Sequence, residues 1–158
     1  MTLTATRRIP YVYLAQQFED SRSILDDIQA LVVGTGDFTL GKPLATFERD
    51  LAAFTNVPYA VGVSNGTDAL CLSLRALGIG HGDEVITAAN SFVASAGAIA
   101  MAGARPVLVD VDETMTISPE AIERAITPRT QAIMPVHWTG TMADMPRICE
   151  IARQWGLH

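Results

Sequence analysis

The stretch Tyr59-Ala60-Val61-Gly62-Val63-Ser64-Asn65-Gly66-Thr67-Asp68-Ala69-Leu70 decides how this chain is read. Residues 59–63 are short, apolar and β-branched in character, the pattern of a buried strand. After the turn, Leu70, Leu74 and Leu77 recur at helical spacing with Cys71 beside them. A flexible glycine followed by a hydroxyl residue at a helix start makes a phosphate cradle. Its free backbone N–H groups point outward and the helix dipole favours an anion. The Gly-Lys-Ser/Thr ending of the nucleotide P-loop is absent. Ser, Thr and Asp also open helices simply as caps, so the residues alone leave the cradle and the cap both open.

Outward from this turn the pattern alternates. Strands are predicted over 59–63, 84–87, 105–109 and 131–136. Helices are predicted over 68–77, 92–102 and 119–126, the last capped by Ser118. A final helix over 146–155 is expected to bury Ile148, Ile151, Ala152 and Trp155. Upstream, Ile24, Ile28, Leu31 and Val32 mark one amphipathic helix that ends near Gly34 and Gly36. Leu44, Phe47, Leu51 and Phe54 mark a second, with Pro43 suited to its first turn. Alternating units with continuous apolar strands imply an α/β fold: a mostly parallel sheet with helices on both faces. No Gly-x-Gly-x-x-Gly follows the first strand, which disfavours a dinucleotide-binding domain. The organisation expected is one partial large domain over 1–158, with an N-terminal helical segment at 1–56 and alternating β/α units at 57–158. The chain stops at Gly156-Leu157-His158, where the next strand should begin, and so reads as an incomplete domain.

Composition narrows the classes. The 158 residues suffice for one ordinary core. A net charge of −6 argues against nucleic acid or an acidic membrane surface as partner. The longest apolar stretch, 92–104, is too short to span a bilayer. The opening Met1-Thr2-Leu3-Thr4-Ala5-Thr6-Arg7-Arg8 carries charge without the apolar core of a secretory signal, so a cytoplasmic location is expected. In that compartment Cys71 and Cys149, both within helical patterns, read as reduced and buried.

A second segment adds specificity. Gly80-His81-Gly82-Asp83-Glu84-Val85-Ile86-Thr87-Ala88-Ala89-Asn90-Ser91-Phe92-Val93-Ala94-Ser95 closely resembles a stretch of the DegT/DnrJ/EryC1/StrS sugar aminotransferases. These are pyridoxal-phosphate enzymes with the aspartate-aminotransferase (type I) fold. Residues 65–70 resemble the phosphate-cup motif of that family, and Asp37-Phe38-Thr39-Leu40-Gly41 its N-terminal Phe-x-x-Gly signature. Residues 106–112 and 126–140 follow in the family's order, so the similarity runs from about Ile9 to His158.

The resemblance implies that Gly66 and Thr67 hold the cofactor phosphate through their backbone N–H groups and the Thr67 hydroxyl, joined by the Asp68 N–H. It implies that Phe92 stacks on the pyridine ring, against the plainer reading of a core residue at a helix start. His137 ends a predicted strand close to the implied cofactor, and support of the ligand competes there with a structural role. Asp110 and Asp112 read as turn and cap residues, and no metal site is expected. His81 sits in a glycine turn and reads as solvated. Cys71 lies on an apolar helix face, which opposes nucleophilic use.

Transamination by pyridoxal phosphate needs a lysine to hold the aldehyde as a Schiff base and to move protons, and an acid on the pyridine nitrogen. In the family both lie downstream of the position matching His158. Lys42 is the only lysine and reads as a solvated residue at a helix start. The resemblance therefore implies the N-terminal part of the large domain of a fold type I transferase. The parent activity would be amino transfer to a nucleotide-linked keto sugar, for polysaccharide or antibiotic sugars. Glutamate would be the donor, in a homodimer, with neither nucleic acid nor membrane as partner. The alternatives are a sugar 3-dehydrase, in which His replaces the lysine, and an inert fragment that binds the cofactor or only another protein. An uncovered sheet edge would favour self-association of such a chain.

Overall fold

Val85 and Ile86 are chain neighbours, both fully buried, and they face different layers of the molecule. This follows from the two-residue period of a strand that is covered on both sides. The structure, a computed structural model, describes residues 11–36 and 39–158. The leader reading of residues 1–8 and the Asp37-Phe38 part of the N-terminal signature lie outside the described residues.

The chain divides into two compact units, residues 1–62 and 63–158. In the first, α1 (Leu14–Asp20), α2 (Arg22–Thr35) and α3 (Lys42–Thr55) are helical. Helix α2 ends on Gly36 in the left-handed conformation, at φ 70°. Pro43 occupies the first turn of α3, where a missing N–H costs nothing. Helix α1 was not anticipated: its short run, Leu-Ala-Gln-Gln-Phe-Glu-Asp, shows too little apolar periodicity to announce itself.

The second unit carries α4 (Gly66–Ala76), β1 (Glu84–Ala88), α5 (Val93–Ala102), β2 (Arg105–Val109), α6 (Pro119–Ala125), β3 (Thr130–Met134) and α7 (Met145–Trp155). The strands form a sheet of order β2-β1-β3 with both pairings parallel. Its register is regular except at the start of the β1–β3 pairing. There Glu84 faces Thr130 while Val85 faces Ala132, leaving Gln131 as an extra residue. Val85 and Ala132 pack with Leu74 of α4 and Ile99 of α5 on one face. Ile86 and Ile133 pack with Ile122 of α6 and Ile148 and Ile151 of α7 on the other. The connections β1–β2 and β2–β3 run in opposite directions along the sheet, so crossovers of one hand place their helices on opposite faces. The expected α/β architecture is thus the one observed. After α7 the backbone of His158 meets the outer edge of β3: its N–H donates to Gln131 O at 2.9 Å and its carbonyl accepts from Ile133 N at 2.9 Å.

Three expectations are corrected. Residues 59–63 are not a strand among the described residues; the only strands are the three above. A strand needs a neighbour for its N–H and C=O groups. Here the Gly62 N–H instead donates to Glu48 Oε1 of α3, at 2.7 Å. A Cβ on Gly62 would stand 2.7 Å from Leu44 Cδ1, so this backbone lies close on the helix. Cys149 is exposed, whereas Cys71 is buried as expected, and both are free thiols. Trp155 is 53% exposed. On α7, Cys149 sits one position off the stripe of Ile148, Ile151 and Ala152 that faces the sheet, whereas Trp155 shares the face of that stripe but is the last residue of the helix.

Candidate active site

The site grows from three chain ends that meet at one sheet edge. Strand β1 is central: the chain passes from it to β2 on one side and then from β2 across to β3 on the other. The carboxyl ends of β1 and β3 therefore flank a point where strand order reverses, which leaves a crevice between the departing loops. A cleft of about 670 Å³ lies there, of a size suited to a small ligand. It is lined by Gly66, Thr67 and Leu70 from the first turns of α4. Phe92 and Ser95 come from the start of α5, and the run from Met134 to His137 follows β3.

Helix α4 opens this cleft with uncommitted donors. Asn65 is the N-cap in an extended conformation, and its Oδ1 accepts from the Asp68 N–H at 2.9 Å. The Ala69 N–H donates to Asn65 O at 3.0 Å. The Gly66 and Thr67 N–H groups have no partner among the described residues. A Cβ placed on Gly66 meets no atom within 4 Å, so that side of the turn is open. Two free amides at the positive end of an 11-residue helix, with the Thr67 hydroxyl beside them, suit an anion such as a phosphate.

Asp68 is placed differently from the expectation. Its N–H is engaged by the Asn65 cap, and its Oδ2 accepts from Ser64 Oγ and, at 3.0 Å, from Asn65 Nδ2. It braces the turn from behind and does not line the cleft. The sequence contained the signal for this arrangement, since Asn65 with Asp68 three residues on is a cap pair.

Phe92 is the N-cap residue of α5, extended at φ −61° and ψ 145°, and is 69% exposed at the cleft. An aromatic ring so placed is not a core residue. The loop that carries it is held on both sides: Ala89 N donates to Val109 O at 2.9 Å, Ser91 Oγ to Ala88 O at 3.0 Å, and Asn90 Nδ2 to Met115 O at 3.0 Å. Asn90 was not singled out from the sequence. Its partner, Met115, lies 25 residues away at φ 63°, in the tight turn closed by the Val111–Ile117 bridge.

His137 is exposed on the same cleft, and its Nδ1 accepts from the Ala143 N–H at 3.2 Å. The turn between them, Trp138–Gly140, is tight, with Thr139 at φ 51° and Gly140 at φ 88°. Four residues named from the sequence, Gly66, Thr67, Phe92 and His137, thus share one cleft, and Asp68 stands behind it.

Other candidates lie elsewhere. Asp112 accepts from the N–H and the hydroxyl of Thr114, at 2.8 and 2.5 Å, and these bonds hold its carboxyl below the usual range. Asp110 Oδ1 accepts from the Val111 N–H at 2.8 Å. Both are turn residues. Lys42 is exposed at the first residue of α3.

The model of the DegT/DnrJ/EryC1/StrS aminotransferase family matches residues 20–158. The chain belongs to that family. Among its relatives, the dTDP-3-amino-3,4,6-trideoxy-alpha-D-glucose transaminase of Streptomyces venezuelae is 44% identical over 154 residues, which are 97% of this chain and 41% of the relative. A UDP-N-acetyl-3-dehydro-alpha-D-glucosamine 3-aminotransferase of Acidithiobacillus ferrooxidans is 44% identical over 159 residues, 99% of this chain and 42% of that one. Among solved structures, that of NtdA from Bacillus subtilis with bound cofactor PMP superposes with a TM-score of 0.91 at 36% identity, covering 99% of this chain and 37% of its own. The fold of this family member is therefore the type I transferase fold expected from its motifs. The chain spans about two-fifths of the length of these relatives.

Proposed function

We propose that this family member holds pyridoxal 5'-phosphate for amino transfer to a nucleotide-linked keto sugar. The observation that carries the reading is the cleft at the carboxyl ends of β1 and β3, which sets two unpartnered helix amides beside an exposed aromatic ring. The residues present fit the group. Gly66 N–H, Thr67 N–H and the Thr67 hydroxyl take the phosphate, and the α4 dipole adds to the attraction. Phe92 covers one face of the pyridine ring and keeps water from it. When bound, the cofactor supplies an electron-accepting ring that lets an amino group pass between donor and acceptor.

What this chain's own residues do is bind and orient. Asn65 and Asp68 hold the α4 turn in shape so that its amides stay directed at the cleft, and Asn90 steadies the loop of Phe92. Lys42, the only lysine, belongs to the helical unit and is assigned no part in the chemistry. The 158 residues by themselves are therefore read as a cofactor-holding half without turnover. Glutamate as amino donor, a homodimer as the working assembly and a cytoplasmic location belong to the same reading. They rest on the family membership alone.

The test is a titration of the protein with pyridoxamine 5'-phosphate, followed by tryptophan fluorescence, with Trp138 next to the cleft residue His137. This form carries an amine in place of the aldehyde and so cannot react with stray amines. Saturable binding that inorganic phosphate weakens by competition is expected. Absence of saturable binding overturns the reading.

A further inference from the structure

The edge of the sheet opposite the cleft carries a second cavity, of about 330 Å³, at the starts of β1 and β2. Its wall includes Arg105, the first residue of β2, and Arg129, just before β3. Glu84 holds these two like charges together: it is 2% exposed and takes both guanidinium groups on one oxygen. Arg129 Nη2 and Nε stand 2.7 and 3.1 Å from Glu84 Oε1, and Arg105 Nη1 stands 3.3 Å from it. Arg105 Nε and Nη2 and Arg129 Nη1 have no partner among the described residues, and both side chains stay exposed, at 71% and 59%. His81 and Gly82, on the same wall, have backbone N–H groups that also lack a partner among the described residues. Asp83 lines the cavity too, but its Oδ2 accepts from the Gly80 N–H at 2.8 Å.

We propose that this cavity is a second anion site, which takes a phosphate group between Arg105 and Arg129, far along the strands from the cleft. A buried carboxylate that meets one arginine cancels its charge. Here one carboxylate meets two, so the Glu84 contacts orient both guanidinium forks and leave positive charge over. An arginine fork matches the oxygens of a phosphate, and forks already held in place lose little freedom on binding. The oxygens of a phosphate diverge, whereas those of a carboxylate lie in one plane. Donors that come from two strand starts and from the backbone of a separate turn suit the diverging set. A phosphate seated there binds the folded chain only, and so stabilises the joined strand starts. The site stands whether or not the cleft holds a cofactor.

Amide NMR signals of the isotope-labelled protein are followed during a titration with inorganic phosphate, at an ionic strength held constant with sodium chloride. Saturable shifts are expected at His81, Gly82 and Arg105, apart from any at Gly66 and Thr67, which belong to the cleft. Arg105→Gln should weaken binding at the first set about tenfold, the scale of one charge-assisted hydrogen bond, and leave the second set as it was. Arg105→Lys keeps the charge without the fork and should fall between. Glycerol phosphate is titrated in the same way. Tighter binding than inorganic phosphate assigns the site to a phosphorylated metabolite, and equal binding assigns it to free phosphate. Shifts at His81 and Gly82 that are absent, that fail to saturate, or that persist at full affinity in Arg105→Gln overturn the site, and none of these touches the cofactor reading. Should the glutamine variant not fold, Arg105→Lys carries the test, and undiminished affinity in it overturns the site equally.

Discussion

Arg129 Nη2 stands 2.7 Å from Glu84 Oε1, joining two residues 45 positions apart at the amino-terminal edge of the sheet. Arg129 Nε reaches the same oxygen at 3.1 Å and Arg105 Nη1 at 3.3 Å, while the Thr127 hydroxyl donates to Oε2 at 2.6 Å. Glu84 is 2% exposed. Its carboxylate therefore fastens the starts of β1, β2 and β3 together, at the edge opposite the cleft. The backbone repeats the tie, for Glu84 N donates to Arg129 O and Arg105 N to Asp83 O, both at 2.8 Å.

The Thr127 hydroxyl, then Arg129, hold the Glu84 carboxyl below its ordinary value of 4.5. The unfolded chain thus binds this proton more readily than the folded one. The resulting stabilisation is fully present above about pH 4.5 and is lost as pH falls through the lower folded value. Glu84→Gln should cost about 1–3 kcal/mol at neutral pH. Urea unfolding at a series of pH values should show the gap between the two proteins closing on acidification. A gap constant with pH would show that the carboxylate charge is not what holds the strand starts.

Asn65→Ala removes the cap of α4. A loss of about 1 kcal/mol is expected, with Asn65→Ser or Asn65→Asp recovering most of it, because either side chain can accept from the Asp68 N–H. Denaturant midpoints of the three variants decide this.

Gly66→Ala separates folding from binding. A methyl there meets nothing within 4 Å, and alanine is the better helix residue. Stability should hold or rise by up to about 0.5–1 kcal/mol. Binding of pyridoxamine 5'-phosphate should weaken severalfold, because the methyl enters the space a phosphate would use. Equal affinity in the two proteins would move the phosphate away from this turn.

Phe92→Ala should change stability by less than about 1 kcal/mol, since the ring is 69% exposed and contributes little to the core. Its effect belongs to the ligand. Affinity for pyridoxamine 5'-phosphate should fall roughly tenfold with alanine and survive replacement by tryptophan, which offers a larger flat face. Calorimetric titration of the three proteins is the measurement.

Much of this was legible in one dimension. The burial of Ile86 and Val85, the stripe of Ile148 and Ile151, and the caps at Ser118 and Gly36 are local matters of period and backbone preference. Local rules also explain the misreadings. Residues 59–63 have the composition of a strand, but composition cannot supply a neighbour to pair with. Cys149 and Trp155 lie within an apolar helix pattern, but one position of rotation takes Cys149 off the buried face, and Trp155, though in register with it, is the last residue of the helix.

The sequence by itself determined the alternation of strands and helices, the parallel sheet and the motifs that mark the family, because each depends on residues close together in the chain. Only the tertiary structure decided the site. The reversal of strand order beside β1 brings the turn at Gly66, the ring of Phe92 and the imidazole of His137 to one cleft across 71 positions of chain. It also fixed which nitrogen of His137 is engaged, since a hydrogen bond depends on where two atoms stand in space and not on where their residues stand in the sequence.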